Sequence, residues 1–394
     1  MVRRSGFIPL IGPVLLLSSL VASHATPAQD PAPPKPGVEA QPPQKQTKNP
    51  LAKLAEPWPD AERMRERRTE AEHRRLFESA DPLTFTLSAD FKAVNKDRDP
   101  TSTKRFPAVL SIVGEGGKTE SFPVKLGTRG NFRLMARNCT FVPLRVEFPK
   151  QEVKGTVFDG QEALKLVTHC RANRAYEQYT LSEYIVYKIF NLFTPRSFRA
   201  RLSKATYVDS TTGKTITTRR AMFIEDDDDV ARRMDGRIAE LPRVLFRDLD
   251  QESLTLLMLL QYMIANTDFS IYALHNVRLV QNQARVLYPV TYDFDLSGLV
   301  NTGYASPNRA LRIKTVRDRL YRGPCRSVEE LEPFLATFRA KKNEVMALYD
   351  SLGDLDVSYR QEAKAYLEEF YSTINRKGDV KREFVDKCSK QPGM

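Results

Sequence analysis

Residues 266–298 read NTDFSIYALHNVRLVQNQARVLYPVTYDFDLSG. Polar turns rich in Asp and Asn punctuate this stretch: Asn266-Thr267-Asp268, His275-Asn276 and Asp293-Phe294-Asp295. Between the last two lie apolar runs around Val277–Val280 and Arg285–Tyr288, short and bounded by turn residues, which predict a pair of strands. Just upstream, Glu252–Ala265 is so apolar that it reads as a buried core helix, and it is too short to span a membrane. The tight return between the two strands lets Asn276 and Asp293 approach each other. An acid, an amide and two more acids therefore gather at one end of a small sheet.

Working outward, the chain before this segment is dominated by strand signals. Leu83–Phe91 alternates, and Ala108–Val113 and Ser121–Leu126 flank the glycine-rich turn Gly114–Lys118. Phe141–Phe148 and Ala163–Val167 are further strands. Thr180-Leu181-Ser182-Glu183 reads as a capping box that opens a helix carrying Ile185, Val186, Ile189, Phe190 and Phe193 on one face. A second hairpin has arms Arg201–Val208 and Ile216–Ile224. After residue 298 the pattern turns helical, over about Val328–Leu352 and Val357–Thr373. This order predicts an α+β protein of two lobes sharing a cleft, a strand-rich one over residues 81–224 and a mostly helical one over 225–394.

The N-terminus has the three parts of an export signal: Arg3 and Arg4, an apolar run from Gly6 to Ala22, and Ser23-His24-Ala25 as a small-x-small cleavage site. The signal peptide is thus residues 1–25, and its removal lowers the formal charge from +12 to +10 (12 − 2, for two arginines and no acid). Residues 26–59, rich in Pro, Gln and Lys, read as a disordered spacer, and residues 60–80 as one surface helix. No transmembrane segment is expected in the mature chain. The positive residues are spread along the chain, so the charge favours anionic partners without marking a specific nucleic-acid binder. Four cysteines, Cys139, Cys170, Cys325 and Cys388, suit disulfides in an exported protein, periplasmic or extracellular. Of three possible pairings the sequence-local one, 139 with 170 and 325 with 388, is favoured, at about 3–4 kcal/mol of stabilisation each. None has the spacing of a zinc site.

Phosphoryl transfer needs a carboxylate to orient the attacking hydroxyl, and an amide oxygen with a second carboxylate to hold Mg²⁺ on nucleotide phosphates. Asp268, Asn276 and Asp293 take those roles in order, with Asp295 as a further metal ligand. Other motifs have less to offer. Gly213-Lys214-Thr215 resembles the end of a phosphate-binding loop, but Val208 stands where its first glycine belongs. No Gly-x-Ser-x-Gly elbow is present.

At these residues the sequence resembles the CotH-type, spore-coat-kinase-like family of atypical protein kinases, over roughly residues 120–300. The resemblance rests on Arg129-Gly130-Asn131, the strand Leu164–Val167, Phe223-Ile224-Glu225, Asn266-Thr267-Asp268, His275-Asn276 and Asp293-Phe294-Asp295. It implies a two-lobed atypical protein-kinase-like fold, ATP and Mg²⁺ as cofactors, and a protein or cell-envelope hydroxyl as acceptor. It also implies a cation on the phosphates: Lys165 is the first choice, with Arg129 and Arg145 as rivals. Glu183 would orient that cation, unless it only closes the capping box. Glu225 falls where a hinge would meet adenine, although the run Glu225–Asp229 also suits a plain helix start. Two other readings stay open: a non-catalytic envelope binding or scaffold protein that keeps the fold, and a scaffold that uses the acids for structural Ca²⁺.

Overall fold

The computed structural model describes residues 52–390. The segment read as an export signal, residues 1–25, and the spacer up to residue 51 lie outside the described residues. The spacer's last residues are tied to the domain. Beyond a single helical turn, α1 (Ala52–Ala55), Arg237 lies over the Trp58 ring at 4.1 Å and donates to the carbonyls of Leu54 and Glu56. Residues 60–80 form two helices, α2 (Ala61–Glu72) and α3 (Arg75–Glu78), with a bend at His73-Arg74. At the bend Arg74 turns inward and grips Asp229 through Nε and Nη2 at 2.8 and 3.1 Å.

Alternation then builds β1 (Leu83–Ala89), followed by the short helix α4 (Phe91–Lys96), β2 (Phe106–Val113), β3 (Thr119–Thr128), β4 (Leu144–Glu147) and β5 (Ala163–Val167). The long helix α5 (Ala175–Phe193) leads to the hairpin β6 (Ala200–Asp209) and β7 (Thr215–Ile224). These seven strands close into a barrel in the order β1-β2-β3-β4-β5-β7-β6. Closure depends on β1 pairing in parallel with β6, from Leu83 opposite Ser203 to Ala89 opposite Asp209; every other ladder is antiparallel. Inside, Phe85, Phe122, Phe158 and Phe223 pack ring against ring with Leu87, Leu110, Leu126 and Leu166. A closed barrel leaves no strand edge open to another chain.

After β7 the chain forms α6 (Asp227–Arg233), β8 (Gly236–Ile238), the apolar helix α7 (Gln251–Met263), β9 (Val277–Asn282) and β10 (Leu287–Thr291), then α8 (Val328–Ala340), α9 (Lys342–Ser351) and α10 (Val357–Ile374). β10, β9 and β8 make a small antiparallel sheet in which Val277 pairs with Thr291. α5, α7, this sheet and the C-terminal helices share one apolar core with the outward-facing residues Leu202, Met222 and Ile224 of the barrel wall.

This architecture overturns the expected two-lobed protein-kinase-like fold, with its strand-rich lobe over 81–224 and helical lobe over 225–394. The strands form a closed barrel of mixed pairing, and the helices pack on the barrel's own wall. Local alternation is the same in an open sheet and a closed one. Only the long-range β1–β6 pairing distinguishes them.

Both disulfides link the sequence-local pairs. Cys139 and Cys170 have Cα atoms 4.6 Å apart, and Cys325 and Cys388 4.9 Å. Among the described residues no helix is long and apolar enough to cross a membrane. Disulfides in a chain without such a helix fit an exported protein.

Candidate functional site

Each acid of residues 266–298 is held by its backbone setting. The chain leaves α7 through Ala265, which has a left-handed φ of 49°. Asn266 then accepts from the Asp268 N–H through Oδ1 at 3.0 Å, which closes a tight turn. The Asp268 carboxylate lies 3.2 Å from His275 Nε2, and Asn276 Nδ2 donates to both the Asp268 carbonyl and its Oδ2, at 2.8 and 3.1 Å. Asn276 itself sits at φ 54° and leads into β9; Tyr292 donates back to its carbonyl. Asp293, at φ 67°, follows β10, and its N–H donates to the Tyr187 hydroxyl at 3.0 Å. Phe294 anchors the turn between Tyr187 and Phe190 of α5. Asp295 accepts from the Tyr304 hydroxyl at 2.9 Å.

The structure thus brings Asp268, Asn276, Asp293 and Asp295 to one end of the small sheet. The charges of Asp268 and Asp293 both act on His275. Its imidazole is held above the ordinary histidine range, first by the hydrogen bond to Asp268, while burial opposes. The Asp293 carboxylate has no hydrogen-bond or ion-pair partner among the described residues, and neither has Asn276 Oδ1.

Glu183 is placed differently from its expected role. α5 begins at Ala175, so Thr180 and Glu183 lie in the helix interior, and Thr180 bonds back to the Tyr176 carbonyl. Glu183 is buried and accepts from the Phe294 N–H. Burial, then the charges of Asp295 and Asp293, hold its carboxyl well above the usual carboxylate range. It therefore belongs to the acid cluster and is not the partner of Lys165.

That partner is Asp227, at the start of α6, which also accepts from Arg278 Nε at 2.6 Å. Lys165 Nζ lies 4.7 Å from the centre of the Tyr292 ring, the residue before Asp293, and burial lowers its pKa. Arg129 stands close enough for its charge to act on Lys165, Tyr187 and Tyr292. Its guanidinium makes no hydrogen bond among the described residues, and its Nε is buried. Arg145 faces Lys165 across the β4–β5 ladder and, among the described residues, pairs only with Glu147, at 3.7 Å.

Lys165, Arg145 and Arg278 border a cleft of about 480 Å³ between the barrel wall and the small sheet, with Ile238, Leu274 and Val277 on its apolar side and residues 225–228 along its rim. Glu225 does not offer its carboxylate to this space. It is fully buried and engaged by Arg199 and by both Nε and Nη2 of Arg233. Asp226 caps α6 by accepting from the Asp228 N–H.

Among the described residues no three His, Cys, Asp or Glu side chains converge as ligands of one metal ion. A structural Ca²⁺ site built on three or more carboxylates is therefore not formed by them. Mg²⁺ asks for less: one or two protein oxygens, the rest coming from water and phosphate. The unpartnered Asp293 carboxylate and Asn276 Oδ1 fit that demand.

Sequence reasoning missed Arg133 and Tyr304, and it read Asp227 only as part of the run Glu225–Asp229. Arg133 lies where the charges of Tyr304, Asp295, Glu183 and Asp293 all act on it, and its Nε is buried without a partner. Its only signal was its position, three residues beyond Gly130. Nothing local marked Tyr304. No family model matches the chain, and no curated protein matches it.

Proposed function

We propose that this is an exported protein, acting in the periplasm or outside the cell, that binds ATP with Mg²⁺ and transfers the terminal phosphoryl group to a hydroxyl of a protein or envelope acceptor. The observation that carries the reading is the open Asp293 carboxylate. It shares His275 with the paired Asp268–Asn276, and it follows Tyr292, whose ring lies 4.7 Å from the Lys165 Nζ that borders a cleft with one apolar wall. The sequence resemblance to CotH-type kinases supports the chemistry, although the fold is a barrel with helices and not a two-lobed kinase.

Base and ribose occupy the cleft, and the phosphates lie towards Lys165 and Arg129, whose charges offset theirs. Asp293 and Asn276 would hold Mg²⁺, with Asp295 behind them, and the ion supplies further neutralisation of the phosphates. Asp268 orients the acceptor hydroxyl. The new bond joins the acceptor oxygen to the γ-phosphorus, the bond to the β-phosphate bridging oxygen breaks, and the hydroxyl proton passes to Asp268, with His275 at hydrogen-bond distance to stabilise it. A second reading, nucleotide binding without transfer, is favoured by one contact: Lys165 is already neutralised by Asp227.

Calorimetric titration of the chain from Thr26 with ATP, with and without Mg²⁺, tests the proposal against Asp293→Asn. Saturable binding that needs Mg²⁺ and is lost in the variant, at an unchanged melting temperature, supports it. Absence of binding up to about millimolar ATP, a Kd worth only about 4 kcal/mol, ends it. Binding without phosphate transfer to any acceptor selects the second reading.

A further inference from the structure

Tyr304 and Arg322 are the two feet of a long, irregular loop. Tyr304 donates to Asp295, and Arg322 Nη1 donates to the carbonyls of Thr267 and Phe269, on either side of Asp268, at 3.1 and 2.7 Å. The loop between them is therefore tied at both ends to the acids of the proposed site. Gly298 is pressed between Ala265 and the backbone of Val316 and Arg317, where a Cβ would come within 2.9 Å of three atoms, so the loop's descending limb also lies on the same turn.

The cations of this loop fall into two groups. Arg317 and Arg319 pair with Glu362 and Glu369. At the crest, Arg309, Arg312 and Lys314 are exposed, and none has a side-chain hydrogen bond or an ion pair among the described residues. The crest is nevertheless ordered. Asn308 accepts from the Ala310 N–H, and the Asp318 carboxylate accepts from the N–H groups of Lys314 and Thr315 and from the Thr315 hydroxyl. Arg312 is held at φ 55°, a region that a long side chain rarely adopts. Half-buried Leu311 and Ile313 alternate with the cations.

We propose that this crest docks an acidic peptide segment of the acceptor protein. The inference rests on the phosphoryl-transfer reading only in that docking delivers a hydroxyl to Asp268. Preformed, unpaired cations attract carboxylates without first breaking an ion pair or ordering a loop. Apolar side chains between the cations suit a peptide, which presents acidic and apolar groups together, better than a uniformly charged sugar polymer. Residues 306–317 contain no aromatic ring on which a nucleic-acid base could stack.

The probe is a fluorescein-labelled synthetic peptide with one serine among glutamates and leucines, titrated by fluorescence polarisation in the absence of ATP. Wild type is compared with the triple variant Arg309→Gln, Arg312→Gln, Lys314→Gln. The proposal expects binding to the wild type that weakens at least about tenfold in the variant, and likewise between about 50 and 300 mM salt, with ATP titration and melting temperature unchanged. Equal peptide affinity in both proteins overturns it. So does tighter binding of a polygalacturonate or a single-stranded oligonucleotide of matched charge. Because the peptide titration needs no nucleotide, failure of ATP binding alone sinks the phosphoryl-transfer reading and leaves the docking surface standing.

Discussion

The barrel and the acid-bearing turns at the end of the small sheet differ first in their backbone. Among the described residues, the non-glycine residues with positive φ all lie between Asp235 and Arg312, and Ala265, Leu274, Asn276 and Asp293 among them cluster at the site. Within the barrel span the left-handed region is taken by glycines alone, such as Gly130 and Gly213. The two regions differ also in what they bury. The barrel buries mainly rings and aliphatic chains, with His169 and Arg201 among them; the site region gathers the buried carboxyls of Glu183 and Asp295. Relaxed, apolar packing supplies stability, whereas strained turns and gathered charges persist only because the surrounding core holds them. The comparison separates apolar packing in one half of the fold from strained turns and gathered charges in the other.

The strongest way to break that comparison is to excavate the barrel. Phe158 is fully buried against Phe122, Phe148 and Phe223, so Phe158→Ala should cost about 3–5 kcal/mol in chemical denaturation. ATP binding at low temperature should survive; a parallel loss of both would show the regions to be one. Next is Glu225→Gln, which leaves two arginines around a buried neutral group and should destabilise by about 3 kcal/mol. A loss below about 0.5 kcal/mol would return Glu225 to the list of ligand-binding candidates.

pH separates the regions by sign. Burial, with the neighbouring carboxylates of α6, pushes the Asp226 carboxyl up to about 6. Its folded pKa exceeds its unfolded one, so its contribution is complete below about pH 4 and is lost as pH rises through about 6. Asp226→Asn keeps a capping acceptor and should gain about 1–2 kcal/mol at pH 7, with no gain at pH 4. In the barrel, burial holds His169 down at about 3. Its contribution is complete above about pH 6.5 and is lost as pH falls from there towards about 3. Melting curves of Asp226→Asn between about pH 4 and 8 should therefore slope more steeply towards acid instability than those of the wild type. The smallest effect is expected from Ala265→Gly, which relieves one positive φ and should change stability by less than about 1 kcal/mol, in either direction. A loss of ATP binding without a loss of stability would show that the strained turn positions Asp268.

The site was more legible than the fold. Asp268, Asn276, Asp293 and Asp295 could be grouped in advance because two short strands with a tight return separate them, and a hairpin is a local object. Glu183 was misread because Thr-x-x-Glu is also a capping pattern, and only the true helix start at Ala175 shows it buried in mid-helix. Lys165 lies on the expected strand, but its partner Asp227 belongs to a different element, far along the chain.

Sequence alone determined the turns, the strands and the buried helix, since each is set by residues close together along the chain. Tertiary structure decided that β1 and β6 close a barrel, that Glu183 joins the acids, and that Asp227 receives Lys165 and Arg278. Those outcomes depend on contacts between residues tens to more than a hundred positions apart, which are selected by the fit and burial of the whole core and leave no periodic trace in either partner.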